Sequence, residues 1–288
     1  MIIKTSDIKS IKPFLDKLYI PSPDSHKGQN GRVLVIGGSS LFHAASIWAA
    51  EAASYFVDIV HYSSTEANNK IFFSLKKKFQ NGIVVSQKDI DHYIEEDDAV
   101  LIGPGMVRGK IAGEAGYTYE LTKSAIDSFP KKKFVFDAGA LQMMEAKWLL
   151  KLKEKPILTP QNREFETLFG IKVADKPQAE KIKIAQEIAK KYKCVIVLKT
   201  IMDIISDGEK TYVVEGGNAG LTKGGTGDIF AGLTLALYAK NDPITSVILA
   251  SFILKKTAET LFLERGYWYN ITNIVDAIPK TLKKLKLI

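Results

Sequence analysis

A glycine-rich stretch that ends in one carboxylate is the segment of this sequence best suited to chemistry. It reads GLTKGGTGDIFAG over residues 220–232, and Asp228 stands where the glycines give way to an apolar, helix-like run. In a glycine loop that enters a helix, backbone N–H groups can approach an anion closely, and the helix dipole adds about half a positive charge there. We therefore interpret this segment as a phosphate cradle.

The carboxylate of Asp228 has two interpretations. Beside a phosphate cradle it could accept the proton of a substrate hydroxyl, which is the base that phosphoryl transfer to an alcohol requires. It could instead cap the helix that begins there, as aspartates commonly do. GGTGD lacks the spacing of a Walker sequence and VIGGSS, residues 35–40, lacks that of a dinucleotide fingerprint, so the P-loop and Rossmann interpretations both weaken.

The elements that must position this loop are short β-branched runs that alternate with longer amphipathic segments. Nine runs predict strands: RVLVIGGSS, DIVHYSS, GIVVSQ, DAVLIGPG, KFVFDAGAL, PILTP, CVIVLKT, DIISDG and TYVVEGG. This alternation predicts an α/β fold, with a mainly parallel central sheet and helices on both faces. Several runs end in Gly, Pro, Asp or Thr, and we expect these residues to gather at the carboxyl edge of the sheet, where ligands bind. We see no interdomain linker and predict a single domain over residues 1–288.

Composition excludes several classes of protein. The chain has 288 residues, of which 46% are hydrophobic, so it can fill a globular core. Its lone cysteine, Cys194, lies in a strand-like run and is expected to be buried.

No run of about 18 apolar residues predicts a membrane span, and we expect a cytoplasmic protein without a membrane partner. The net charge of +8 comes from scattered lysines among 32 acids, which favours a solvated surface over nucleic-acid binding. The acidic run EEDD, residues 95–98, is expected to be a solvated turn.

Seven motifs occur in an order and spacing that resemble those of one known family. They are HKG and the VIGGSS segment within residues 26–53, IGPGM at 102–106, DAGAL at 137–141, LTPQNREFETLFG at 158–170, VLKT at 197–200, and GGTGD at 224–228. GGTGD alone is shared by many sugar and vitamin kinases. The ordered set resembles the ADP- or ATP-dependent NAD(P)H-hydrate dehydratase family of the ribokinase-like superfamily.

The resemblance implies a reaction that repairs nicotinamide nucleotides. The hydroxyl of hydrated NADH or NADPH is phosphorylated by ADP or ATP with Mg²⁺, and loss of phosphate restores the double bond of the ring, so the enzyme is a carbon-oxygen lyase. The family also implies a homo-oligomer and small-molecule substrates. Because little precedes the HKG motif, we expect the companion epimerase, if needed, to be a separate protein.

The resemblance assigns roles position by position. Asp228 is the catalytic base. The substrate-binding positions are Ala45, Gly105, Gln161 and Asp228. The nucleotide- and phosphate-binding positions are Lys199, Thr200, Gly224, Gly225, Thr226 and Gly227. The neighbourhood of phosphate or magnesium comprises Lys27, Asn162 and Glu164, and no protein side chains are expected to form a complete metal cage.

Several positions depart from the family pattern and leave the substrate open. Gln161 replaces a histidine and Arg163 a glycine, while Gly139 replaces an aspartate and Thr200 a glycine. Arg163 could pair with a phosphate or with a neighbouring acid. Two rival functions therefore remain: a kinase of the same superfamily that phosphorylates a vitamin-precursor alcohol and releases a stable ester, and a nucleotide sensor without catalysis.

Overall fold

The computed structural model describes residues 1–110 and 112–286, so residues 111 and 287–288 of the predicted single domain lie outside the described residues. The strands are β1 (Ile2–Lys4), β2 (Arg32–Ile36), β3 (Ile59–Ser63), β4 (Gly82–Val84), β5 (Ala99–Ile102), β6 (Lys133–Phe136), β7 (Ile157–Leu158), β8 (Val195–Leu198), β9 (Asp203–Ser206) and β10 (Thr211–Glu215). The α-helices are α1 (Ile8–Leu15), α2 (Ala44–Ala53), α3 (Glu66–Leu75), α4 (Ile90–Glu96), α5 (Gly113–Ser128), α6 (Ala138–Met143), α7 (Asn162–Phe169), α8 (Gln178–Tyr192), α9 (Thr226–Lys240), α10 (Pro243–Arg265) and α11 (Ile271–Lys286).

One ten-stranded sheet organises the described part of the chain. Its strand order is β1-β10-β9-β8-β7-β6-β5-β2-β3-β4. The strand β9 is antiparallel to both its neighbours, and the other nine strands share one direction. All nine predicted runs form strands. The predicted α/β architecture with a mainly parallel sheet is therefore confirmed.

Each face of the sheet carries its own hydrophobic core, because successive side chains of a strand point to opposite faces. In β2, Val33 and Val35 join a core with α1, α2, α3, α9, α10 and α11. Leu34 and Ile36 join a second core with the helices α4 to α8. Helices thus cover both faces, as predicted.

The helix α9 is held closely against α2. A Cβ atom at Gly232 of α9 would lie 2.2 Å from the carbonyl oxygen of Ala49 and 2.7 Å from its Cα atom. Glycine at this position therefore lets the two backbones touch. Since α2 follows the carboxyl end of β2, this contact fixes the amino end of α9 relative to the same edge of the sheet.

Three local features complete the fold. The edge strand β1, which we did not predict, pairs in parallel with β10. Cys194 is buried as expected, and burial raises the pKa of its thiol to about 12. The expectation of a solvated turn at EEDD is wrong for Asp97, because this side chain is fully buried and lies 2.9 Å from Nδ1 of His61. Within the residues that the structure describes, no helix is both long and apolar enough to span a membrane.

Candidate active site

Polar side chains follow three adjacent strands at the carboxyl edge of the sheet. Asp137 comes directly after β6, Thr159 after β7 and Lys199 after β8. The Lys199 backbone N–H donates to the Pro160 carbonyl at 2.9 Å, which ties the loop after β8 to the loop after β7. Parallel strand direction is thus what brings these distant parts of the sequence together.

A buried ion pair lies at this edge of the sheet. The Lys199 Nζ donates to Asp137 Oδ1 at 2.7 Å, and the Thr159 hydroxyl donates to the same oxygen at 2.6 Å. The Asp137 side chain is 3% exposed and that of Lys199 15%. Burial alone would lower the pKa of Lys199, but the carboxylates of Asp137 and Glu164 outweigh it and raise that pKa. Lys199 therefore stays charged.

The glycine loop enters α9 directly above this pair. Gly225 is the N-cap residue and has φ 103°, a conformation that residues with a side chain rarely adopt. Trp48 of α2 and Ile271 of α11 enclose it, because a Cβ atom at Gly225 would lie 2.6 Å from the indole ring and 2.9 Å from Ile271. The first N–H groups of a helix have no acceptor within it. The Thr226 N–H already donates to the Lys223 carbonyl at 3.2 Å, whereas other N–H groups of the loop can face an anion from a rigidly packed backbone.

Asp228 is the third residue of α9, three positions after the N-cap. Together with Lys199, Asp137 and Glu164 it lines a cavity of about 620 Å³. Burial, followed by the negative charges of Asp137 and Glu164, raises the pKa of Asp228 to about 7, although Lys199 opposes this. A carboxylate with this pKa can accept a proton near neutral pH.

The first turn of α7 closes the cavity on another side. Glu164 is buried, and its Oε2 accepts a hydrogen bond from the Gln161 backbone N–H at 2.8 Å, so the acid caps α7. Burial, followed by repulsion from Asp137, raises the pKa of Glu164. The Asn162 Oδ1 atom is buried and has no hydrogen-bond partner within the described residues. Asn162 and Gln161 both line the cavity.

The cavity brings together most of the positions predicted for binding. Those on its lining are Gln161, Asn162, Glu164, Lys199, Thr200, Gly224, Gly225, Thr226, Gly227 and Asp228. The Lys199 Nζ would lie 3.5 Å from a Cβ atom at Gly227, so the lysine reaches the cradle itself.

Ala45 and Gly105 lie outside this lining but at the same edge. A Cβ atom at Gly105, after β5, would lie 3.0 Å from that of Ala45. Ala45 precedes Ala49 by one turn of α2, and Asp228 precedes Gly232 by one turn of α9. Since Ala49 contacts Gly232 and both helices begin at this edge, Ala45 lies toward the same end of the packed pair as Asp228.

The structure does not bring Lys27 to the cavity. The next residue, Gly28, donates its N–H to Asp58 at 2.7 Å, and both residues shortly precede the first residues of β2 and β3. Lys27 therefore lies at the amino edge of the sheet, across the length of α9, or about 20 Å, from the cradle. Within one chain, Lys27 therefore does not share the cavity with the cradle, and its assignment to a phosphate neighbourhood stays a prediction.

Comparison with known proteins decides the family. The family model described as NAD(P)H-hydrate dehydratase matches residues 33–280. The chain belongs to the NAD(P)H-hydrate dehydratase family. An ADP-dependent (S)-NAD(P)H-hydrate dehydratase of Nitrosopumilus maritimus is 35% identical over 96% of this chain and 97% of that protein.

Some relatives in the dehydratase family are longer. A bifunctional NAD(P)H-hydrate repair enzyme of Methanocaldococcus jannaschii is 35% identical over 90% of this chain, and the match covers 50% of that enzyme. The chain thus spans about half the length of such bifunctional relatives. An ADP/ATP-dependent NAD(P)H-hydrate dehydratase from Bacillus subtilis, co-crystallized with ATP/Mg²⁺, has a TM-score of 0.81 at 24% identity, covering 96% of this chain and 97% of that chain. This likeness shows the ribokinase-like fold.

Two residues of this dehydratase-family site were absent from the predicted set. Asp137 belongs to the quoted DAGAL motif, but its pairing with Lys199 joins residues 62 positions apart. Trp48 lies in a helix of small residues and contacts the cradle from another element. The signal for Asp137 was its position directly after a strand, whereas only the packing reveals Trp48.

Proposed function

We propose that this protein is an ADP- or ATP-dependent NAD(P)H-hydrate dehydratase. The observation that carries the proposal is the half-buried carboxylate of Asp228, which lies between a glycine cradle and the charged Lys199. Phosphoryl transfer needs this arrangement: donors that stabilise charge on the moving group and a base for the attacking hydroxyl. The family membership and the names of the relatives support the same activity.

The residues suggest how the reaction proceeds. Asp228 accepts the proton of the substrate hydroxyl. At the same time the hydroxyl oxygen attacks the terminal phosphorus of ADP or ATP, and AMP or ADP leaves. The N–H groups of the cradle and Lys199 stabilise the charge on the transferred group. The lone pair of the ring nitrogen then expels phosphate from the adjacent carbon. Loss of a proton to water from the neighbouring ring carbon restores the double bond.

Magnesium fits the oxygen donors of this cavity. Glu164 offers a carboxylate and Asn162 a buried carbonyl oxygen without a partner in the described part of the chain, and Mg²⁺ is commonly held by one or two carboxylates plus phosphate oxygens and water. We propose that these two side chains hold it together with the nucleotide. When bound, Mg²⁺ would neutralise charge on the phosphates.

The direct test follows absorbance at 340 nm while Mg²⁺ and ADP, then ATP, are added to the protein with NADPH hydrate. We expect a rise in absorbance and one orthophosphate released for each nucleotide consumed. Gln161 and Arg163 line the cavity where the family has histidine and glycine, which favours a second candidate, a kinase for a small alcohol. A flat trace, with a phosphate ester accumulating from a small alcohol, would overturn the dehydratase in favour of that kinase.

The activity should depend on pH through Asp228. Because the pKa of this carboxyl is about 7, we expect kcat/KM to fall about tenfold for each pH unit below that value, as the base becomes protonated. Initial rates between about pH 5.5 and 8.5 in buffers of constant ionic strength would measure this. A flat profile over that range would mean that Asp228 does not act as the base.

We also propose the remaining expectations for this chain. They are a single domain over residues 1–288, a homo-oligomer, a location in the cytoplasm and a separate epimerase that interconverts the hydrate epimers. Sedimentation equilibrium would test the oligomer. An epimerase requirement would appear as incomplete consumption of a mixture of the two epimers.

A further inference from the structure

Four cationic side chains of the described residues line the cavity, and three of them already have partners within the protein. Lys199 pairs with Asp137. Lys255 donates to the Ile201 carbonyl at 3.0 Å and lies 3.4 Å from Asp203.

The third of these cations is Lys223. Its Nζ donates to the Tyr267 carbonyl at 3.0 Å and lies 4.7 Å from the centre of the Tyr269 ring. The fourth cation is Arg163.

The guanidinium of Arg163 has no such partner. The residue is exposed, lines the cavity, and forms no ion pair or side-chain hydrogen bond within residues 1–110 and 112–286. It also occupies the second position of α7, in the first turn, where the helix dipole disfavours a positive charge. Its placement is therefore unfavourable in the free protein and becomes favourable when an anion binds beside it.

A cation beside the bound phosphate would offset the acids on the lining of the cavity. Asp137, Glu164, Asp203 and Asp228 all lie on it. A polyanionic nucleotide that enters meets this negative field, and the paired lysines offset it only in part. An arginine without a partner is well suited to bind phosphate, since its planar fork donates two parallel hydrogen bonds.

We propose that Arg163 is a ligand-binding residue that pairs with a phosphate group in this cavity. This inference rests on the proposed function, because both substrates of that reaction carry phosphates. The phosphate belongs either to the nucleotide co-substrate or to the hydrated dinucleotide, and the two sources predict different kinetics.

The experiment compares Arg163→Ala and Arg163→Lys with the wild type. The matched control is Arg265→Ala, another exposed arginine, which lies at the end of α10 away from the cavity lining. The measurements are KM for ADP, for NADPH hydrate and for NADH hydrate, together with the Kd for ADP by calorimetry. We expect Arg163→Ala to raise at least one KM roughly tenfold, and Arg163→Lys to raise it less, because lysine keeps the charge without the fork.

The changes in KM and Kd identify which phosphate group Arg163 binds. A higher KM and Kd for ADP alone assign the nucleotide phosphate. A higher KM for both hydrates assigns the diphosphate of the dinucleotide, and a higher KM for NADPH hydrate alone assigns its 2′-phosphate. If every KM and the Kd stay within about twofold of the wild type, as in Arg265→Ala, the proposal is wrong. The calorimetric Kd separates this failure from that of the dehydratase proposal, since ADP binding can be measured without turnover.

Discussion

Replacing Asp228 with asparagine is expected to lower kcat by about 10²–10⁴, the usual loss when a general base is removed. Asparagine keeps the size of the side chain but cannot accept the hydroxyl proton. The cradle and Lys199 remain, so the Kd for ADP should change by less than about threefold. Single-turnover absorbance at 340 nm and calorimetry with ADP would measure the two quantities.

The same substitution should stabilise the protein in alkaline solution. The folded protein holds the Asp228 proton up to a pKa of about 7, whereas the unfolded chain releases it near the ordinary pKa of 3.8. Between those values the folded state binds more protons, so the free energy of unfolding falls as pH rises through this window. Asparagine removes that loss, and at pH 8 we expect a gain on the order of 1 kcal/mol in urea denaturation. An activity loss below tenfold would instead favour the interpretation that Asp228 only stabilises the start of α9.

Gly225→Ala is expected to destabilise the protein by about 2–4 kcal/mol and to abolish measurable ADP binding. Two causes add: the φ of 103° disfavours any side chain, and the new methyl group would lie 2.6 Å from the ring of Trp48. The loop must then move away from α2, which displaces the N–H donors from the phosphate. Urea denaturation and calorimetry with ADP would measure both effects.

The neighbouring Gly224 provides the matched control for stability. Its φ lies outside the left-handed range, and a Cβ atom there would meet nothing within 4 Å among the described residues. Gly224→Ala should therefore change the free energy of unfolding by less than about 0.5 kcal/mol. Equal destabilisation by the two substitutions would contradict the clamped geometry of Gly225.

The sequence was sufficient to predict those strands that are determined by residues close together in the chain. Runs such as CVIVLK and KFVF are β-branched or aromatic and lie between turn residues, so their strands could be predicted from neighbours alone. The strand β1 was not predicted because it has three residues, of which only Ile3 is buried, and its partner strand lies about 210 residues away in the sequence. The carboxyl edge of the sheet could be anticipated, since parallel strands share their direction.

The site was harder to predict where it depends on distant contacts. Asp137 gains its role from Lys199, and Trp48 from Gly225, and neither pair has a spacing that a sequence pattern could reveal. Lys27 is the converse case: it matches a motif, but within one chain it lies at the opposite edge of the sheet from the cradle, which only the strand topology reveals. Packing also explains one departure from the family: a Cβ atom at Gly139 would lie 2.4 Å from the Met106 carbonyl, which leaves no room for an aspartate.

The contact between Trp48 and Gly225 gives the protein an intrinsic optical reporter. The chain has three tryptophans, of which Trp148 is buried in the other core and Trp268 is 88% exposed. Phenylalanine at positions 148 and 268 would leave a single indole in contact with the loop that is proposed to bind phosphate. Its emission should then change when the loop takes up a nucleotide, so occupancy of the cradle can be followed without a label and without turnover.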